Sequence, residues 1–175
     1  MDKVITRNCA KFIIKKLDLR GISEVLVSRI RDLDCYAESS NVMIYYPRSC
    51  ELNFISLTRD KSKNFYLPKI EGKDIFPCSW RIGEQLKLQG KYRVLEPLSD
   101  FIAPEEIDLV ILPGLCADKS RCRLGYGGGF YDRFLAQSTA KTIFPVADEL
   151  LFGTIPSDEW DKKVDIVLTP TQIIR

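Results

Sequence analysis

Apolar positions along this chain fall into short runs separated by amphipathic stretches. From Lys3 to about Leu33 the spacing predicts two helices. Val4, Ile5, Phe12, Ile13 and Leu17 form the apolar stripe of the first, and Val25, Leu26, Ile30 and Leu33 that of the second. Gly21 punctuates the pair, and Ser23 stands as a plausible N-cap. A continuous apolar run over 42–46, stopped by Pro47, reads as a buried strand, and 64–67, stopped by Pro68, as another. Residues 51–59 suit a helix, whereas 72–100 show no dominant period. Further strands are expected over 107–112, 142–146 and 164–168, with a helix over 130–137. Short apolar strands alternating with helical stretches predict an α/β fold in layers, with a largely parallel sheet.

Length and composition narrow this picture. With 175 residues, 45% hydrophobic and 29% charged, the chain is expected to form one domain over 1–175. A formal net charge of +2 gives no sign of a nucleic-acid or membrane partner. No apolar run approaches the roughly 20 residues that span a bilayer. The first 20 residues interrupt their apolar positions with charge too often for a signal peptide, so a cytoplasmic protein is expected. Six cysteines occur without a CxxC pair, which argues for free thiols. The chain has no histidine, which removes imidazole catalysis and leaves carboxylates, Lys, Arg, Tyr, backbone dipoles and a metal.

The stretch that concentrates chemistry is RLGYGGGFYDRFL, from Arg123 to Leu135. Gly125, Gly127, Gly128 and Gly129 surround Tyr126, so the main chain can approach an anion closely. Arg121, Arg123 and Arg133 add positive charge, and Asp132 follows within one turn as a candidate metal ligand. Two readings fit such a cluster: a phosphate cradle, or a flexible hairpin or lid with no ligand. It matches neither GxxxxGK[ST] nor GxGxxG, since Phe130 holds the third glycine's place in the latter.

Pro113, Gly114, Asp118, Arg123, Leu124, Gly125, Gly127, Gly129, Phe130, Tyr131, Asp132 and Arg133 keep a fixed spacing. That spacing resembles the signature of the 5-formyltetrahydrofolate cyclo-ligase (methenyltetrahydrofolate synthetase) family. Ala117 stands where the family usually has Phe, and Arg121 where it usually has Gly. The resemblance extends to a K-x-x-L-R element at the start, matched by Lys3 and Arg7 with Thr6 in the Leu place; Lys16 with Arg20 offers a rival register. It also covers Glu51 after the first strand, with Tyr46 beside it, the segment from Gly90 to Pro97 containing Tyr92, and Asp161, with Trp160 in a usual His place.

The resemblance implies a three-layer α/β fold similar to ribose-phosphate isomerases and CoA transferases, its largely parallel sheet flanked by helices. It implies conversion of 5-formyltetrahydrofolate to 5,10-methenyltetrahydrofolate with ATP as co-substrate and Mg2+ as cofactor, in a monomer that uses small-molecule partners only. Arg123, Tyr131 and Asp132 become catalytic candidates. ATP falls to Lys3, Arg7 and the stretch Arg123, Leu124, Gly125, Tyr126, Gly127, Gly128, Gly129 and Phe130. Folate falls to Tyr46, Glu51, Tyr92 and the same glycine loop, and the metal to Asp132 and Asp161. The alternative is a non-catalytic folate- or nucleotide-binding protein on the same scaffold.

Overall fold

A computed structural model describes residues 2–89 and 94–175. Two helices open the chain, α1 (Lys3–Ile14) and α2 (Leu19–Arg31), followed by the short α3 (Asp34–Glu38). Strand β1 (Asn41–Met43) leads through a 3-10 turn at Ile55–Arg59 to β2 (Asn64–Glu71) and β3 (Asp74–Ser79). A separate antiparallel pair of β4 (Leu86–Gln89) and β5 (Val94–Pro97) precedes β6 (Leu109–Ile111). Then come β7 (Cys116–Asp118), β8 (Arg123–Leu124), α4 (Phe130–Leu135), β9 (Lys141–Pro145), β10 (Leu151–Phe152), β11 (Ile166–Leu168) and β12 (Ile173–Ile174).

The central sheet has the order β12-β11-β9-β6-β1-β2-β3. Its five inner strands run parallel, while β12 and β3 pair antiparallel at the two edges. Strand alternation sorts the core onto the two faces. Val42, Ile44, Leu109, Ile111, Ile143, Ile166 and Leu168 pack with Leu26, Val27 and Ile30 of α2 on one side. Met43, Val110, Leu112, Phe144 and Val167 pack with Ala10 and Ile14 of α1 and Phe134 of α4 on the other. A sheet covered on both faces explains why its strands read as continuous apolar runs rather than alternating ones. The α/β class with helices on both sides of a mostly parallel sheet is as the sequence pattern indicates. Among the described residues no helix is long and apolar enough to cross a membrane.

Several local expectations need correction. The buried face of α1 is Thr6, Ala10 and Ile14, whereas Val4, Ile5 and Phe12 are exposed. Small residues let the helix approach the sheet closely, a preference that side-chain bulk conceals. Val25 is likewise exposed, beside buried Leu26. The N-cap of α2 is Asp18, whose carboxylate accepts from Gly21 N at 3.1 Å. Ser23 instead lies buried inside α2, donating to Leu19 O and accepting from Asn53 N.

The helix expected over 51–59 shrinks to the 3-10 turn at Ile55–Arg59. Pro68 does not end β2. Pairing with β1 stops at Tyr66, and beyond it Pro68 lies opposite Pro77 of β3, where the missing N–H groups are tolerated near the sheet edge. The helix after the glycines ends at Leu135.

Candidate active site

Chain order and sheet order diverge at one place. From β1 the chain builds outward through β2 and β3, then returns to lay β6 on the other side of β1. Such a reversal leaves a crevice beyond the carboxyl ends of the adjoining strands. Tyr46, Arg48 and Glu51 follow β1 there, and Pro113 follows β6. Together with the glycine loop and the start of α1 they line a cleft of about 1010 Å³.

The loop is delivered by the β7–β8 hairpin, in which Cys116 pairs with Leu124 and Ala117 with Arg123. Asp118 fastens that hairpin: its buried carboxylate accepts from Ser120 N, Ser120 Oγ, Cys122 N and Ile155 N at 2.7–3.1 Å. Burial opposes ionisation of Asp118, but these donors outweigh it and hold its pKa below the usual carboxylate value. Arg121 sits in this turn at φ 67°, the left-handed region, which accounts for a glycine being usual at that position in the resemblance described above. Its guanidinium turns toward Asp165 O, outside the cleft lining.

Arg123 is the fixed cation of the site, with 4% of its side chain exposed. It donates from Nη1 to Pro113 O at 2.9 Å and from Nη2 to Asp132 Oδ1 at 3.1 Å. Its buried Nε has no hydrogen-bond partner among the described residues. Arg7 donates from Nε to Gly125 O at 2.9 Å, pinning α1 to the loop. Gly127 and Gly129 have φ of 100° and 67°, conformations that a side chain resists. Gly129 caps α4, and Arg133 reaches back to Gly128 O, Asp74 and Lys73 O.

Lys3 lies between two carboxylates, 2.6 Å from Asp158 Oδ2 and 2.6 Å from Asp161 Oδ2. Burial lowers the Lys3 pKa, yet the two acidic partners more than offset it and raise the value above ordinary lysine. Asp161 is shifted down: burial opposes, while Lys3, Asp158 N and Arg123 favour the anion. Asp132 and Asp161 thus share one cleft, each already paired with a cation on one oxygen. Among the described residues no group of three or more His, Cys, Asp and Glu side chains is placed to hold a metal.

The facing wall carries Tyr46, Arg48, Glu51, Tyr126 and the apolar Pro68, Ile70 and Ile75. Burial and the negative Glu51 both raise the pKa of Tyr126 and of Tyr131, so each stays a neutral phenol at physiological pH. Of the residues named from the sequence for catalysis, ATP, folate or metal, all that are described line this cleft, whereas Arg121 of the loop cations does not; Tyr92 lies outside the described residues. The rival pair does not line it either: Lys16 stands over the exposed Phe12 ring, and Arg20 pairs with Glu24 on the surface.

The family model of the 5-formyltetrahydrofolate cyclo-ligase family matches residues 10–170. This chain belongs to that family. A Mycolicibacterium smegmatis relative named 5-formyltetrahydrofolate cyclo-ligase is 39% identical over 104 residues, covering 50% of this chain and 54% of that protein. This chain therefore spans about half the length of that relative. A Mycoplasma genitalium protein of the same name is 26% identical over 129 residues, covering 73% and 71%. The solved structure of 5,10-methenyltetrahydrofolate synthetase from Aquifex aeolicus has a TM-score of 0.88 at 28% identity, covering 100% of this chain and 93% of that one.

Family membership fits the glycine loop and its cations, but two cleft residues escaped the sequence reading. Arg48 and Asp158 both line the cleft and pair with residues already singled out, Glu51 and Lys3. For Arg48 the available signal was charge complementarity, since it stands three residues before Glu51; Asp158 had no such local signal, because its partner Lys3 is distant in sequence.

Proposed function

We propose that the chain is an ATP- and Mg2+-dependent ligase that cyclises 5-formyltetrahydrofolate to 5,10-methenyltetrahydrofolate, releasing ADP and phosphate. The observation that carries this is the meeting, in one cleft, of a cationic glycine loop and a wall of aromatic, apolar and carboxylate groups. The first suits a triphosphate, and the second suits a planar heterocycle with polar edges. The cleft draws on both ends of the described chain, Lys3 and Asp161, which supports one functional domain.

The formyl amide resists loss of its oxygen. Transfer of the γ-phosphoryl group to that oxygen makes it a phosphate leaving group. The nitrogen at position 10 then attacks the formyl carbon, the five-membered ring closes, and phosphate departs while that nitrogen gives up its proton to it. Lys3, Arg7, Arg123 and the loop N–H groups offset charge on the phosphoryl oxygens, leaving little covalent work for side chains. Arg123 is pre-positioned by Pro113 O and Asp132. Tyr131, kept neutral, donates or positions rather than removing a proton.

The donor set fits Mg2+, which takes one or two carboxylates and completes its shell with phosphate oxygens and water. Asp132 and Asp161 would hold it, and its chemistry when bound is neutralisation of phosphate charge.

The test follows the absorbance of the methenyl product with protein, ATP, Mg2+ and 5-formyltetrahydrofolate together, and with each omitted in turn. Growth only in the complete mixture is expected. Folate or ATP binding without turnover would instead identify a non-catalytic binding protein.

A further inference from the structure

Glu51 holds its carboxylate at the cleft wall with only 7% of the side chain exposed. A tight turn fixes it: Glu51 N donates to Arg48 O at 3.0 Å, and Arg48 N donates back to Glu51 Oε2 at 2.8 Å. The other oxygen, Oε1, accepts from Arg48 Nη2 at 3.0 Å. The Arg48 guanidinium meanwhile lies over the Tyr126 ring, 4.2 Å from its centroid. Tyr126 Oη is buried, and its charged neighbour is the Glu51 carboxylate.

A planar group stacked on an aromatic ring, its edge donating to a carboxylate, is how a 2-amino-4-oxo heterocycle would be bound at this wall. The guanidinium shares that heterocycle's flat, donor-rich edge. It differs in one respect: arginine has no acceptor to offer the Tyr126 hydroxyl. The heterocycle presents ring nitrogen and carbonyl acceptors beside its donors.

We propose that Arg48 is a built-in competitor of the substrate, occupying the Glu51–Tyr126 subsite until a planar ligand with an amidine-like edge displaces it. Arg48 has 44% of its side chain exposed, so it can swing into solvent while Glu51 stays in place. The displaced guanidinium loses its link to Oε1, and the ligand supplies that donor together with an acceptor for Tyr126. The assignment of the heterocycle to folate rests on the cyclo-ligase reading above. The competition itself follows from the contacts of Arg48.

The test is isothermal titration, without ATP, of wild type, Arg48→Ala and Arg48→Met, each checked for folding by thermal melting. Arg48→Met keeps a stem over Tyr126 but removes the donors. The probes are 5-formyltetrahydrofolate and free 2-amino-4-hydroxypyrimidine. Both variants should bind the folate about two- to fivefold more tightly than wild type, the factor that loss of a half-exposed competing ion pair permits. Adding Glu51→Gln should abolish that gain. If wild type binds the folate and both variants bind it equally or more weakly, the competition is refuted and the folate assignment stands. If no protein binds the folate but Arg48→Met takes up the pyrimidine better than wild type does, the competition stands and the folate assignment falls. Binding of neither probe to any protein overturns both.

Discussion

Gly129→Ala and Gly127→Ala separate a phosphate cradle from a passive hairpin. At Gly129 the backbone has φ 67°, where alanine costs on the order of 1 kcal/mol. An added Cβ would also lie 2.6 Å from Arg133 Nη1, too close to persist. That guanidinium is the end of a flexible chain, but moving it gives up its contacts with Asp74 and Gly128 O. Such partly exposed contacts contribute about 0–1 kcal/mol. The sum is about 1–2 kcal/mol, a fall in Tm of roughly 2–8 °C for a chain of this size.

At Gly127 φ is 100° and a Cβ would meet Arg7 at 3.5 Å, an ordinary contact, so the cost is mainly backbone strain of about 1–3 kcal/mol. Activity should suffer far more than stability. Relieving the strain shifts the N–H groups that would face the phosphates in the proposed cradle, and about 1 Å of misplacement costs roughly a hundredfold in rate. Turnover followed by methenyl absorbance, alongside thermal melting, tests the ratio of the two losses. Near-normal turnover in both folded variants would refute the cradle and favour a hairpin indifferent to a methyl group.

Asp132→Asn should raise the Mg2+ requirement and lower turnover at least tenfold while leaving folate affinity by calorimetry nearly unchanged; unaltered turnover at limiting Mg2+ would remove it from the metal site. Replacing Lys3 and Arg7 together with Ala should raise the KM for ATP at least tenfold and that for folate much less, whereas Lys16→Ala with Arg20→Ala should change neither. Asp118→Asn should destabilise the fold by about 2–3 kcal/mol in denaturant melts, because an amide cannot accept at both oxygens from the donors around it. Since the folded Asp118 pKa lies below the unfolded one, its contribution is present above the unfolded pKa and fades as pH falls through the folded pKa. The wild-type stability advantage over Asp118→Asn should therefore shrink under acid.

The parallel core could be read from the sequence because strands covered on both faces need apolar residues at every position, as Leu109, Val110 and Ile111 show. The face of α1 was harder to read. Contact there depends on the small Thr6 and Ala10, and bulk pointed to Val4, Ile5 and Phe12 instead. Lys3 and Arg7 nevertheless follow the helical period of that buried side, four residues apart and in step with Ala10 and Ile14, so the sheet-facing side of α1 enters the cleft at its N-terminal end. The pairing of Arg48 with Glu51 had a local clue in charge spacing, but only the fold brings Lys3 within 2.6 Å of Asp158, 155 positions away.

Those pairings change what ligand binding must accomplish. Lys3 is held by Asp158 and Asp161, Arg123 by Asp132, Arg48 by Glu51, and Arg7 by Gly125 O. Each cation that suits a phosphate is already satisfied by a protein acceptor, and each carboxylate that suits a metal or a heterocycle is already satisfied by a protein cation. A substrate therefore exchanges partners rather than filling an unpaired charged hole. The exchange avoids leaving charges such as the buried Arg123 unpaired in the free protein, a state that would be strongly destabilising. It also sets a condition on order. Moving Lys3 onto a phosphate strips Asp161 of its counter-charge, which a cation arriving with that phosphate restores. Nucleotide and metal are thus expected to enter as one unit, and ATP alone should bind more weakly than ATP with Mg2+ by a margin that Asp161→Asn reduces. Equal affinity for the two in wild type would show that the Lys3–Asp161 pair survives binding and that the exchange does not take place.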